Sequence, residues 1–313
     1  MGFAEAAEAE LRALLGLLRT ERYRFVTPTP ATHARVIARP GKREARGLRD
    51  IFGWNLPFAP DLLPGGLLDG LVAAGLAEPT GGLWRSRVRV ASLGERLFVH
   101  SAFPTVAVDA VFFGPDTYRF AAFLKAELPR VGGARRLVDL GAGAGAGGIV
   151  AAALLPGARI TLVDVNPAAL GLARVNAADA GINAEFVEAG SLDEVAGRID
   201  LVIANPPYIM DEGDRTYRDG GGMHGAGVSF DWALAAARRL EPGGRMLLYT
   251  GVALVEGEDE LEAALERALP ELGCALRYRE LDPDIFGEEL DKPPYTEVER
   301  IAAVGAVIEK AGG

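Results

Sequence analysis

Arg136-Leu137-Val138-Asp139-Leu140-Gly141-Ala142-Gly143-Ala144-Gly145 is the stretch that decides how this chain folds. An apolar run ends in a turn with glycine at every second position, and the uncharged run Gly147–Leu155 follows with the character of a helix. Glycine lets a strand turn sharply into a helix and lets a ligand approach the backbone where any side chain would block it. Outward from this unit, strand and helix signals alternate. Arg159–Val163 reads as a strand and Pro167–Ala180 as a helix. Ala184–Val187 and Asp200–Ala204 are strands, and Ser229–Leu240 is a helix closed by Pro242-Gly243-Gly244. Arg245–Thr250 is a strand and Asp259–Leu269 a helix, and two last strands lie near Ala275–Glu280 and Ile301–Ile308. This alternation predicts an α/β protein with a doubly wound, mostly parallel seven-stranded sheet. Its last two strands are joined without a helix and form an antiparallel hairpin at one edge.

The chain of 313 residues is long for one core and suits two domains or one elaborated domain. Apolar residues make up 49% and charged residues 24%, the balance of a globular enzyme. Cys274 is the one cysteine, which excludes an internal disulfide framework and fits a reducing compartment. The start lacks a basic region followed by an apolar core, so no signal peptide is expected. Ala6 stands where a myristoylation motif after Gly2 wants Ser or Thr. The uncharged stretch Gly141–Leu155 reads as a ligand-binding turn and helix, so no membrane span and a cytoplasmic location are expected. The net charge of −10 argues against a protein that coats nucleic acid nonspecifically. Arg19–Arg49 runs against that trend, with nine basic and two acidic residues. It reads either as a solvated face or as a docking surface for RNA or an acidic protein partner.

Residues 1–104 and 105–313 are read as separate domains. Residues 4–19 carry Leu11, Leu14, Leu15, Leu17 and Leu18 at amphipathic helix spacing. Prolines and glycines then break the chain until the helix Leu67–Leu76, which ends at Gly75. Trp84–Val90 alternates apolar and charged residues as an edge strand does, and a turn at Ser92-Leu93-Gly94 leads to the strand Arg96–His100. Helices followed by a two-stranded wing suit a winged-helix-like module or a plain substrate-recognition cap.

Two further features carry chemistry. Asp164 ends the second strand, where its carboxylate can accept two hydrogen bonds from a ribose diol. The fourth strand ends in Asn205-Pro206-Pro207-Tyr208. Two prolines forbid a helix there, so a carboxamide, a proline carbonyl and an aromatic ring stand at the carboxyl end of a strand, where open α/β sheets bind ligands. The Asn205 oxygen and the Pro206 carbonyl are two acceptors able to take both N–H bonds of a planar nitrogen and aim its lone pair. Pro207 fixes their orientation, and Tyr208 offers a flat face for a planar group. Gly143, Gly145 and Gly148 also satisfy the dinucleotide spacing, which keeps a nicotinamide or flavin site as the rival. No second nucleotide-like half follows, and hydride transfer has no need of Asn-Pro-Pro-Tyr. No metal site is expected.

Residues 111–251 resemble the class I N-methyltransferases that carry an Asn-Pro-Pro-Tyr motif. That family includes release-factor glutamine methyltransferases and adenine-N6 and guanine-N2 methyltransferases of nucleic acids. The resemblance implies a Rossmann-like catalytic domain and S-adenosyl-L-methionine as cofactor. It implies that Gly141, Ala142, Gly143 and Gly145 form the cofactor turn and that Asp139 holds the methionine ammonium. Asp164 would bind the ribose, Val165 and Asn166 would flank the adenine, and Asn205 would face both cofactor and acceptor. Family members often have an acidic residue after the glycine that ends the third strand; here Ser191-Leu192 follows Gly190, and Ser191 can still hydrogen-bond. Pro115-Asp116-Thr117 is similar to a segment of the release-factor enzymes, but Gly114, Tyr118 and the stretch Tyr23–Pro30 depart from them. The resemblance therefore carries the reaction, N-methylation of a protein or nucleic acid, and not the target. A small-molecule or peptide N-methyltransferase and a cofactor-binding module or dehydrogenase are the alternatives. Asp211–Gly227 is glycine-rich and reads as a lid or a plain loop. Asp282–Asp291 reads as an acidic, solvated insertion or as a surface for a cationic peptide or small molecule, and beside the active site it would repel phosphates and disfavour a nucleic-acid target.

Overall fold

A computed structural model describes residues 5–131, 133, 135–210 and 219–312. The chain forms two compact units. One comprises Met1–Arg119, Gly143–Ala146 and Pro167–Asn183; the other comprises Phe120–Ala142, Gly147–Asn166 and Ala184–Gly313.

The first unit opens with helix α1 (Glu5–Thr20), followed by α2 (Pro30–Ile37), α3 (Leu48–Phe52) and α4 (Gly65–Ala73). The leucine spacing does what amphipathic periodicity requires: Leu11, Leu14, Leu15 and Leu18 of α1 are fully buried. Thr29 caps α2 by accepting from Thr32 N, and Pro30 occupies the first turn, where no amide is needed. Two hairpins follow. β1 (Ala77–Thr80) pairs with β2 (Leu83–Ser86), and β3 (Val88–Leu93) pairs with β4 (Arg96–Ser101). The single strand expected over Trp84–Val90 is thus divided at Arg87. The buried Ser86 hydroxyl donates to Val88 O at 2.7 Å, a local bond that competes with the ladder and kinks the chain. Gly81 and Gly82, both at positive φ, make the tip of the first hairpin, which the sequence reading missed.

The remaining elements are α5 (Pro115–Glu127), β5 (Arg136–Leu140), α6 (Ala146–Leu154), β6 (Arg159–Asp164), α7 (Pro167–Asp179) and β7 (Ala184–Glu188). They continue through β8 (Ile199–Ala204), α8 (Gly227–Arg239), β9 (Leu240–Val255), β10 (Glu258–Asp259), α9 (Glu260–Ala268), β11 (Cys274–Asp282) and β12 (Arg300–Lys310). Helix α7 belongs to the first unit, where it packs on α1. Its fully buried Asn176 exchanges two hydrogen bonds with the Val99 backbone and donates to Ala144 O at 2.9 Å.

The second unit is built on a sheet of order β11-β12-β9-β8-β5-β6-β7, with β10 pairing on β9. Strands β5 to β9 run parallel, and β12 inserts antiparallel between β9 and β11. The expected mostly parallel seven-stranded sheet is observed. β9 begins at Leu240 instead of Arg245, because Glu241–Gly244 bulges between the Ile199–Leu240 and Leu201–Arg245 pairs. The core is formed by strand residues such as Val138, Val202 and Leu248 with Ala233, Ala237, Leu261 and Leu265 of α8 and α9. The end of α5 is tied to β11 by Glu127, whose buried carboxylate accepts from Arg277 at 2.5 Å and from Arg279 at 3.3 Å.

Candidate active site

β5 lies between β6 and β8, so the chain leaves it first toward one edge of the sheet and later toward the other. Such a switch point opens a crevice at the carboxyl ends of the strands. Leu140 pairs with both Val163 and Ala204, which brings Gly141, Asp164 and Asn205 level one residue further on. The sequence placed these three at strand ends; the register sets them side by side.

Gly141, Gly143 and Gly145 all have positive φ, between 54° and 79°. A Cβ on Gly141 would stand 2.6 Å from the Trp232 ring of α8, a partner the sequence did not reveal. A Cβ on Gly148 would stand 2.3 Å from Leu162, so glycine is what lets α6 begin so close to the sheet. Beneath that helix start, Asp139 is buried and accepts from Gly148 N at 2.6 Å. Burial pushes its pKa up to about 7 against the pull of the Gly148 amide, and the Asp164 charge adds to the rise. A carboxylate held this way fits a cationic ligand group, which would offset its desolvation.

Asp164 is half-buried, and its Oδ1 accepts from Asn166 N at 2.9 Å in an Asx turn. Val165 is exposed and leans toward Gly190, where an added Cβ would lie 3.1 Å from its methyl group. The Ser191 hydroxyl accepts from Asp193 N at 3.2 Å and caps a short 3-10 turn. Leu192 is buried, and its carbonyl accepts from Arg239 at 2.7 Å.

In the Asn205–Tyr208 turn, Asn205 Oδ1 is buried without a hydrogen-bond donor among the described residues. Pro206 is buried and Pro207 half-buried. The Tyr208 ring is only 8% exposed and lies against Gly251, where a Cβ would come within 2.4 Å of the ring. It is therefore a walled ring, more enclosed than the open platform expected from sequence.

Two segments brace this turn. Gly220 N donates to Ile209 O at 2.8 Å, and a Cβ on Gly225 would strike the Tyr208 carbonyl. Asp219–Gly227 of the expected lid is thus bonded onto the turn, while Asp211–Arg218 lie outside the described residues. From the β11–β12 connection, Phe286 meets Tyr208 edge-on at 5.9 Å, and the buried Tyr295 hydroxyl accepts from Met210 N at 2.8 Å. The insertion Asp282–Asp291, read as solvated, therefore supplies aromatic support through Phe286, and Tyr295 just beyond it adds to that support; the signal was an aromatic within and another after an acidic stretch.

Burial and the charge of Arg89 lower the His33 pKa to about 4 and hold His100 well below the usual range. Among the described residues no group of His, Cys, Asp or Glu could hold a metal ion, and no helix is long and apolar enough to cross a membrane.

Residues 116–267 match the family described as Methyltransferase small domain. Release factor glutamine methyltransferase of Deinococcus radiodurans is 34% identical over 169 residues, 49% of this chain and 55% of that protein. Ribosomal RNA small subunit methyltransferase C of Serratia proteamaculans is 38% identical over 73 residues, 23% of this chain and 21% of that one. The chain thus spans about half or less of the length of these curated relatives. The crystal structure of wild-type Trm5b from Pyrococcus abyssi aligns with a TM-score of 0.50 at 16% identity, covering 75% of this chain and 62% of that one, which is a likeness of fold.

Proposed function

We propose that this chain, whose residues 116–267 match the Methyltransferase small domain, is a class I S-adenosylmethionine-dependent methyltransferase that methylates a planar amide or exocyclic amine nitrogen of a protein or nucleic acid. The observation that carries this reading is the buried Asn205 Oδ1 at the switch point of the sheet, unpartnered among the described residues. An acceptor without a donor in a buried position is costly, and an incoming N–H would relieve it.

Bound S-adenosylmethionine supplies an electrophilic methyl group on a sulfonium. Asp139 holds the cationic end of the cofactor, Gly141, Ala142, Gly143 and Gly145 give it backbone room, and Asp164 accepts from the ribose. Val165, Asn166, Ser191 and Leu192 flank the base. Asn205 Oδ1 and the Pro206 carbonyl take the acceptor's N–H bonds, drawing the nitrogen out of conjugation and directing its lone pair. Pro207 stiffens the turn and Tyr208 limits the acceptor plane. The nitrogen becomes acidic only as it is methylated, so positioning supplies most of the acceleration. Residues 105–313 perform this chemistry in the cytoplasm, and residues 1–104 recognise the acceptor, with Arg19–Arg49 as a basic docking surface.

The test is transfer of labelled methyl into an extract from cells lacking the protein, with Asn205→Ala as comparison. Turnover should fall by about 10²–10³ while cofactor affinity, read by calorimetry, stays near that of the wild type. Undiminished turnover in Asn205→Ala would end the proposed mechanism.

A further inference from the structure

Within the first unit, a cavity of about 210 Å³ is lined by Lys42, Arg43, Asn55, Arg85, Phe103 and neighbouring apolar side chains. We propose that this cavity is a phosphate subsite that seats a nucleic-acid strand on the N-terminal unit. It deepens the reading of a macromolecular acceptor and rests on it.

Three cations converge on one small space, and their compensation is unequal. Lys42 is neutralised by Asp50 at 2.6 Å. Arg43 and Arg85 have no carboxylate partner among the described residues. The Nε of Arg85 is buried and lacks a hydrogen-bond acceptor. That buried Nε is closed to a ligand, as are the Nε atoms of Arg136 and Arg245, so a phosphate would meet the terminal nitrogens of the half-buried Arg85 and the exposed Arg43, whose planar forks match its oxygens. The walls are held in place before any ligand arrives. Asn55, at a φ of 56°, donates to Ser86 O at 2.7 Å and accepts from Phe103 N at 2.8 Å. His33 stacks on Phe103 at 4.1 Å, which fixes the ring that closes one side.

The size and the surroundings choose between anions. Drug-sized ligands need pockets of about 300 Å³ or more, so this one suits a phosphate with part of its sugar. Near Lys42 and Arg43 in sequence, Arg35, Arg39 and Arg46 are exposed, and no acidic residue occurs between Glu21 and Glu44. Residues 1–104 carry 14 basic and 10 acidic side chains, whereas residues 105–313 carry 19 and 33. A net excess of positive charge is thus found only in the part of the chain that holds the cavity. A lone carboxylate would need one arginine; a pocket within a segment rich in exposed arginines fits a polymer of phosphates.

Fluorescence anisotropy of the full chain tests this with labelled oligouridylate, its deoxy counterpart and polyglutamate of equal length, over a salt series. Strand binding should weaken linearly in log salt. Arg43→Gln with Arg85→Gln should lower affinity at least about tenfold and reduce the slope by about 0.7, one single-strand phosphate contact. Arg85→Lys keeps the charge but loses the planar fork, and an intermediate affinity is expected. Circular dichroism and cofactor titration report whether each variant remains folded. The better of the two strands identifies the sugar. Equal binding of polyglutamate, absence of strand binding at low salt, or wild-type affinity in the double variant would each overturn the subsite. Methyl transfer into extract that persists without strand binding would refute the subsite and leave the methyltransferase reading standing. Strand binding without any methyl transfer would do the reverse.

Discussion

Asp139 is where stability and ligand binding oppose each other. Its folded pKa of about 7 lies above the ordinary carboxylate value, so the fold favours the neutral form. The stability it contributes is full below its unfolded value of about 4 and is lost as pH rises through 7. A cationic ligand group needs the ionised form, so cofactor affinity should climb as pH rises through about 7. Asp139→Asn should flatten the fall in apo melting temperature between these limits and melt above the wild type at pH ~8, while binding cofactor about tenfold or more weakly. Scanning fluorimetry and calorimetry across pH check both arms; an unchanged pH slope in the variant would refute the assignment. Asn205 differs in kind: its orphaned oxygen does not titrate, and its effect should appear in turnover alone.

Elements brace the catalytic turn from behind. Gly251 of β9 sits where any Cβ would press on Tyr208, so Gly251→Ala must displace the ring. Overpacking of this type costs about 1–3 kcal/mol. Gly251→Ala should lower kcat with cofactor affinity intact, and a crystal structure of the variant should show the ring moved; normal turnover would mean that Tyr208 has no positional role. At the other end of β11, hydrogen bonding by Arg277 first, with Arg130 adding to it, holds the Glu127 pKa below its ordinary value. A depressed carboxylate stabilises above its unfolded value, and that contribution is lost as pH falls through the folded one. Glu127→Gln should therefore melt below the wild type at neutral pH, with the gap closing below about pH 4. A gap that stays constant on acidification would show packing, not charge, to be its cause.

At the scale of the whole molecule, charge is divided along the chain, with the excess of acid in residues 105–313. The docking proposal predicts that neutralising Arg39, Lys42, Arg43 and Arg46 together will depress methyl transfer to a macromolecular acceptor. The loss should be largest at low salt, where screening is weakest. Cofactor affinity should be unaffected. Equal activity of this variant and the wild type across a salt series would assign the arginines to a solvated face.

The alternating strand and helix signals were legible in the sequence because they rest on local causes: hydrophobic period, glycine turns and proline breaks. So were Asp139, Gly141, Asp164 and Asn205 as strand-end residues, since a strand's end is marked by the residues around it. The division of Trp84–Val90 was not, because a buried Ser86 hydroxyl outweighs an alternating pattern. Nor was the early start of β9, where pairing with Ile199 extends the strand past Gly243 and Gly244. The sequence by itself determined the order of elements and which residues stand at the mouth of the sheet. Only the tertiary structure decided that β12 enters between β9 and β11, that Phe286 and Tyr295 close over the turn, and that Asn205 Oδ1 is left without a donor. The physical reason is range: Met210 and Tyr295 are 85 residues apart, and no local propensity reports a hydrogen bond that exists only once the sheet is assembled.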